Sequence, residues 1–339
     1  MVDCEKAHGR MRHMMSMRFT SWLGACASIL IPSTGADAAD LYPSKPIRLV
    51  HGYATSSSMD INSRAIAQRL AALLGQQVVV DSRPGATGMI ANDIVAKSAP
   101  DGYTLLAAPG SALAATPHMQ KVSFDPLRDF APIAPIGEFS HLMVAHPAVP
   151  AHTVGEIIAL AKKRPANLAY GSNGVGSAYH LAGALFCMMA EIDMLHVPYR
   201  GGGSTAISDL VTGRVDLMWN SPVFLLPHVK LGRLRAIGVT GPKRIAALPN
   251  VPTLAEGGLR GYELVGWQGV LAPAATPREI IAKLNAAMET MLSAPDVREL
   301  WSAQGMEAVA RTPEQFAARL RADYESYGRL IRRIGSKLD

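Results

Sequence analysis

Three observations predict an α/β fold built as two lobes. Short apolar runs alternate with helical periodicity from Ile47 to Ala107. The same alternation restarts near Val154 and continues to Val239. The length, 339 residues, exceeds one average domain and suits two.

The first unit opens with the strand Ile47–Val50. Asp60 is placed to cap a helix whose apolar positions are Ile61, Ala65, Ile66, Leu70, Leu73 and Leu74, closed by Gly75. Val78–Val80 is the next strand, Ile90–Ala96 the next helix and Thr104–Ala107 a third strand. This βαβαβ order implies a parallel sheet with helices on both faces. In the second unit, helices are expected at Ile157–Lys163, Ser177–Ala190 and Ser204–Thr212, with a short one near Leu226. Strands are expected at Leu168–Tyr170, Leu195–Val197, Asp216–Trp219 and Leu234–Val239. The proline-rich stretch Asp125–Pro150 reads as the passage between units, and Tyr262–Pro273 as the return. Helices at Pro277–Leu292, at Asp296–Gln304 and from Thr312 then cover the first unit, the last with a Thr312/Gln315 capping box.

The N-terminus reads as an address. Arg18 precedes an apolar stretch, Phe19–Ile31, too short to span a bilayer, and Ala36-Asp37-Ala38 follows as a small-x-small site. Residues 1–38 are therefore expected to be a secretory signal peptide, with the mature chain in the periplasm. A rival reading takes Leu23-Gly24-Ala25-Cys26 as a lipoprotein box. After cleavage Cys187 is the one cysteine left, so no disulfide framework forms.

Hydrophobic residues at 49% and charged residues at 18% exclude a disordered chain. The formal charge of +6 is scattered, apart from a short group at Arg329, Arg332, Arg333 and Lys337, so nucleic acid is not an expected partner. No HExxH, GxSxG or Walker pattern is present, and no cofactor or metal is expected.

Three loops at strand ends carry small polar residues just before a helix: Tyr53-Ala54-Thr55-Ser56-Ser57-Ser58, Ser172-Asn173-Gly174-Val175-Gly176-Ser177 and Arg200-Gly201-Gly202-Gly203-Ser204. Ligands of open α/β sheets sit at such ends, and helix starts favour negative charge. The ordinary alternative is a serine-capped turn.

Several stretches together resemble a known family. They are Tyr42-Pro43-Ser44-Lys45-Pro46-Ile47-Arg48, Arg83-Pro84-Gly85-Ala86-Thr87-Gly88, Pro100-Asp101-Gly102-Tyr103-Thr104-Leu105-Leu106 and Asp125-Pro126-Leu127-Arg128-Asp129-Phe130. His180-Leu181-Ala182-Gly183, His196-Val197-Pro198-Tyr199-Arg200-Gly201, Leu248-Pro249-Asn250-Val251-Pro252-Thr253 and Trp267-Gln268-Gly269 follow in order. The ordered set is similar to the Bug-type solute receptors of tripartite tricarboxylate transporters, over essentially the whole mature chain. The resemblance implies a two-lobed periplasmic binding protein (type II-like, Venus-flytrap), each lobe a mostly parallel sheet flanked by helices. It implies a small organic carboxylate as ligand, integral-membrane transporter subunits as partners, a monomer, and no enzymatic step. A membrane sensor is the alternative partner, and an exported hydrolase the alternative class. The expected division is 39–140 with 265–339 for lobe 1, and 141–264 for lobe 2.

Carried over by position, the ligand loops are Tyr53 to Asp60 and Ser172 to His180. The family usually reads Pro-Pro-Gly-Gly-small-Thr-Asp in the first loop, where this chain has Ala54-Thr55-Ser56-Ser57-Ser58-Met59-Asp60. A serine forced to positive φ there costs on the order of 1 kcal/mol. Met59 in place of threonine is expected either to shrink or to grease the pocket. Asp60 either caps its helix or receives a ligand ammonium or hydroxyl. His180 either lines the pocket or is structural, and Arg200 either pairs a second carboxylate or faces solvent. Tyr199, Asn220, Ser221 and Ser111 complete the expected ligand-binding set, with Trp267 either in the core or stacked on the ligand.

Overall fold

The computed structural model describes residues 42–199 and 203–335. The expected signal peptide, the Cys26 lipoprotein box, Arg200 and Lys337 lie outside the described residues. The chain begins with β1 (Ile47–His51), α1 (Ser58–Leu74), β2 (Val78–Ser82), α2 (Met89–Ala96), β3 (Thr104–Pro109), α3 (Gly110–Ala114) and β4 (Phe130–Ser140). It continues with β5 (Leu142–Ala145), α4 (Val154–Lys163), β6 (Ala169–Ser172), α5 (Ala178–Ala190), β7 (Leu195–Pro198), α6 (Gly203–Val211), β8 (Leu217–Asn220), α7 (Pro222–Lys230) and β9 (Arg235–Val239). The last elements are β10 (Val265–Pro273), α8 (Arg278–Ser293), α9 (Pro295–Ala303), β11 (Met306–Glu307) and α10 (Pro313–Ile334).

Two sheets form, in strand orders β11-β4-β10-β3-β1-β2 and β7-β6-β8-β5-β9. Both are mixed rather than mostly parallel. β1, β2 and β3 run parallel, as do β6, β7 and β8. The strands β4, β5 and β10, which carry the chain between sheets, pair antiparallel with their neighbours. Sequence reading misses β4 because Pro132 and Pro135 lie within it. The β4–β10 ladder shifts register twice in this region, and a proline is tolerated at such an irregularity.

The parallel strands have the consequence that matters for function. The ends of β1 and β3 point to one edge of the first sheet. Those of β6, β7 and β8 share an edge of the second. The loops expected to hold a ligand sit at these ends.

Where the sheets join, one residue carries both crossings. Thr240, fully buried, accepts the His141 N–H at 2.8 Å and donates its hydroxyl to the Leu264 carbonyl at 2.7 Å. Its own N–H goes to His141 O at 2.9 Å. The outgoing strand at His141 and the returning strand at Leu264 are thus tied to one side chain.

The final helix adds a third link. Phe316 and Leu320 of α10 pack in the first sheet's core with Trp267, whereas Ile331 and Ile334 pack in the second sheet's core with Tyr262 and Phe186. α10 therefore covers both units, not the first alone. Its start carries the expected capping box between Thr312 and Gln315. Its middle is fixed by Arg319 to Glu138 and Asp323, and Asp323 accepts the Trp267 indole N–H at 2.6 Å. Trp267 is a core residue.

Gly269 of β10 faces the Phe316 ring so closely that a Cβ would lie 2.2 Å from Phe316 Cζ. Gly269→Ala is expected to push that ring off its seat and destabilise the fold by about 1–3 kcal/mol, read as a lower urea midpoint.

Candidate functional site

The two ligand loops are built alike. In each, a strand ends, a short loop turns, and a serine caps the next helix. Ser57 accepts the Asp60 N–H and caps α1; Ser177 accepts the His180 N–H and caps α5, both at 3.2 Å. A serine cap satisfies the third N–H of a helix and leaves the first two without an acceptor inside it. Here those are Ser58 and Met59 in α1, and Ala178 and Tyr179 in α5. Each set, at the positive end of a helix dipole, suits an anion.

A neutral histidine braces each loop. His51 Nδ1 accepts the Tyr53 N–H at 3.4 Å while Nε2 meets Asp60 Oδ1 at 3.2 Å. His180 Nδ1 accepts the Gly176 N–H at 3.1 Å. His180 stacks on His196 at 4.1 Å, and His196 Nε2 bonds Ser172 Oγ at 2.7 Å. Ser172 Oγ in turn accepts the Gly174 N–H at 3.2 Å. Burial pushes His180 down to about 4 and His196 down to about 3, the latter aided by the neighbouring imidazole. Burial also lowers His51, against the pull of Asp60. Protonation of Nδ1 on His180 would remove the acceptor that holds Gly176.

Backbone conformation explains the glycines. Gly174 and Gly176 have φ of 110° and 81°, where a side chain is strained. In the first loop the residue that takes the left-handed conformation is Ser56, at φ 67°. Asp60 compensates, its Oδ2 accepting the Ser56 N–H at 3.1 Å. Asp60 is held below the usual carboxylate range, chiefly by Arg64.

Several expected roles change accordingly. Ser57, not Asp60, caps α1. The Asp60 carboxylate is spent on His51, Ser56 and Arg64, which leaves no oxygen for a ligand ammonium. Met59 is buried among Ile66, Leu105 and Ile136 in the first core and does not grease a pocket. Tyr199 gives its hydroxyl to Asp209 at 2.9 Å and lays its ring over Gly171. Ser172 is fully buried and holds the loop rather than facing out.

Other expected residues do come to the strand ends. Ala54, Thr55, Ser56 and Val175 are exposed at the loop tips, open to a solute. Ser111 lies in the first turn of α3, just past the end of β3, Asn220 ends β8 and Ser221 precedes α7, with Asn220 Oδ1 accepting the Ser221 N–H at 2.7 Å. Asn173 Oδ1 is buried with no partner.

Tyr53 and Tyr179 lie one in each of the two expected ligand loops. Tyr53 is raised by burial and, to a lesser degree, by the Tyr179 phenol. Tyr179 is pushed up to about 12 by burial, against the pull of the Ser221 backbone. Its ring stands edge-on to His141 at 5.0 Å, and His141 is edge-on to Phe139 at 5.3 Å. A Cβ at Gly176 would lie 3.0 Å from the Met119 sulfur, so the glycine loop also borders the segment after α3. The position of His51 at a strand end was a usable signal; Phe139 and His141 were hidden in the proline-rich passage.

A separate groove of about 570 Å³ runs between α5 and α10, lined by Met188, Met189, Tyr327 and Arg333 among others, and contains none of the loop residues. Its charged walls include Arg319 and Asp323, which already pair with each other.

Two expectations follow. Folding lowers these histidines from 6.5, so the unfolded chain takes up their protons first as pH falls. Their contribution is intact above about pH 6.5 and is lost down to about 4 for His180 and about 3 for His196. Urea midpoints should fall over that window, and His180→Asn should shrink the slope by up to about 1.4 kcal/mol per pH unit. Ser56→Gly should raise the unfolding free energy by up to about 1 kcal/mol, read as a higher urea midpoint, by relieving the left-handed serine.

Comparison with known proteins agrees with this architecture. BugT from Bordetella pertussis is 34% identical over 319 residues, covering 93% of this chain and 98% of BugT. The structure of R. palustris Rpa4515 with adipate superposes with TM-score 0.81 at 31% identity, over 87% of this chain and 98% of that one. MatC from Rhodopseudomonas palustris with bound malate gives TM-score 0.77 at 29% identity, over 86% and 100%. Among the described residues no helix is long and apolar enough to cross a membrane. Residues 62–336 match the model of the tripartite tricarboxylate transporter family receptors, and on that match, spanning most of its length, the chain belongs to this receptor family.

Proposed function

We infer that this protein is a periplasmic receptor that captures a small organic carboxylate between its two sheets and delivers it to membrane subunits of the tripartite tricarboxylate type. The lobes are taken as 39–140 with 265–339, and 141–264, joined at Thr240 and by α10. The observation that carries the reading is the matched pair of serine-capped helix starts, one from each unit. Four N–H groups, at Ser58, Met59, Ala178 and Tyr179, have no acceptor inside their helices. Relatives of the same fold hold adipate and malate, which supports a carboxylate here.

The proposed site takes Tyr53 to Ser58, Asn173 to Ser177, Ser111, Asn220 and Ser221 as its lining, with His51, Ser172 and His180 as braces. Closure is driven because the ligand touches both helix starts only when the lobes approach. The loops hold backbone donors and hydroxyls, so recognition needs no lysine or arginine from them. No chemical step is assigned. Ser172 and His196 stand at a nucleophile–base distance of 2.7 Å, but the serine is fully buried and engaged with Gly174, and burial together with the His180 imidazole explains the low basicity of His196. Residues 1–38 serve export and are removed.

A thermal-shift panel tests the reading. A carboxylate at about 100 times its Kd should stabilise the native state by about 2.7 kcal/mol. Gly176→Val should abolish that shift while the apo protein still melts cooperatively. A panel in which neutral sugars raise the melting temperature and no organic acid does would refute the assignment.

A further inference from the structure

Beside the braced loops lies one buried imidazole with no hydrogen-bonding task. His141 is fully buried, and neither ring nitrogen has a hydrogen-bond partner. Buried polar atoms are almost always satisfied, and exceptions have causes. Backbone position does not provide one: the His141 N–H and carbonyl are both used by Thr240, while the imidazole bonds to nothing.

The surroundings of the ring are specific. His141 is the single residue between β4 and β5, at the crossing from one sheet to the other. Phe139, from the first sheet, and Tyr179, from the first turn of α5, stand edge-on against it. Gly266 of β10 lies beneath, where a Cβ would come within 3.0 Å of the His141 ring. Burial alone depresses the imidazole, and no charged group from any of these elements acts on it, so it is neutral, with one N–H to give and one lone pair. Phe139 and Tyr179 are both half-buried. They come from opposite units, so parting the sheets separates the two rings that seal the imidazole.

We propose that His141 is a ligand-contacting specificity residue that hydrogen-bonds a second oxygen group at the far end of a carboxylate held by the Tyr179 helix start. The assignment rests on the receptor reading above and adds the residue that would select an acid with an oxygen function at each end. Such a guest satisfies the imidazole on closure. An acid with an apolar tail leaves it unpaired, and the site discriminates against that acid by withholding a hydrogen bond.

The test compares adipate and malate with hexanoate by calorimetric titration of the wild type, His141→Phe and His141→Asn. Phenylalanine keeps the ring packing and removes the polar atoms; asparagine keeps a donor and an acceptor. Wild type should bind at least one two-ended acid more tightly than hexanoate. His141→Phe should weaken that acid at least about tenfold, leave hexanoate unchanged, and melt no lower than wild type without ligand. His141→Asn should retain most of the preference, and it serves as the decisive variant if the phenylalanine protein does not fold: equal binding of adipate, malate and hexanoate by it would overturn the proposal. Equal affinity of wild type and His141→Phe for the two-ended acid, or equal loss for all three acids, would also overturn it while the receptor reading stands. A wild type that binds no acid at all overturns both.

Discussion

Holding an anion without a cation requires helix N–H groups that stay still. A dipole at a mobile helix start is averaged away, and a flexible loop competes for the same donors. In this protein the immobility comes from histidines kept neutral by burial, each accepting an N–H from the loop it braces. The serine caps then take the third N–H of each helix and leave the first two without an acceptor inside it. Cap, brace and free donors form one arrangement made twice, once in each unit. In the receptor reading proposed above, the rest of the architecture brings the two copies to one cleft.

That service is visible at the crossing between sheets. A single threonine ties the outgoing and returning chains, and α10 spans both cores with an apolar residue pair at each end. In the proposed receptor these links form the hinge about which the sheets rotate while the loops keep their internal geometry. A closing motion of this kind asks little of the loops and much of the crossing, where Phe139, His141 and Tyr179 meet.

How much of this was legible in the sequence varies with the physics behind each element. Gly75 and the Thr312 capping box report local backbone chemistry, and both are found where the residues place them. Gly174 and Gly176 likewise mark backbone that only glycine adopts without strain. The α1 cap was misread because Asp60 and Ser57 are both good capping residues. The choice depends on His51 and Arg64, which capture the carboxylate through tertiary contacts. β4 was hidden by prolines whose missing N–H groups are harmless only because its ladder is irregular, a fact no local pattern carries. Ser56 illustrates the same limit in the opposite direction. Its positive φ looks costly in isolation and is offset by a carboxylate four residues on. His141 was invisible because its significance lies in what does not touch it.

The central claim is that one guest is held by both helix starts at once, and backbone amide spectra during titration with adipate test it most directly. The account predicts that the Ser58 and Met59 amides shift together with those of Ala178 and Tyr179 along one saturation curve. Shifts confined to one of the two helices, or to the groove between α5 and α10, would contradict it.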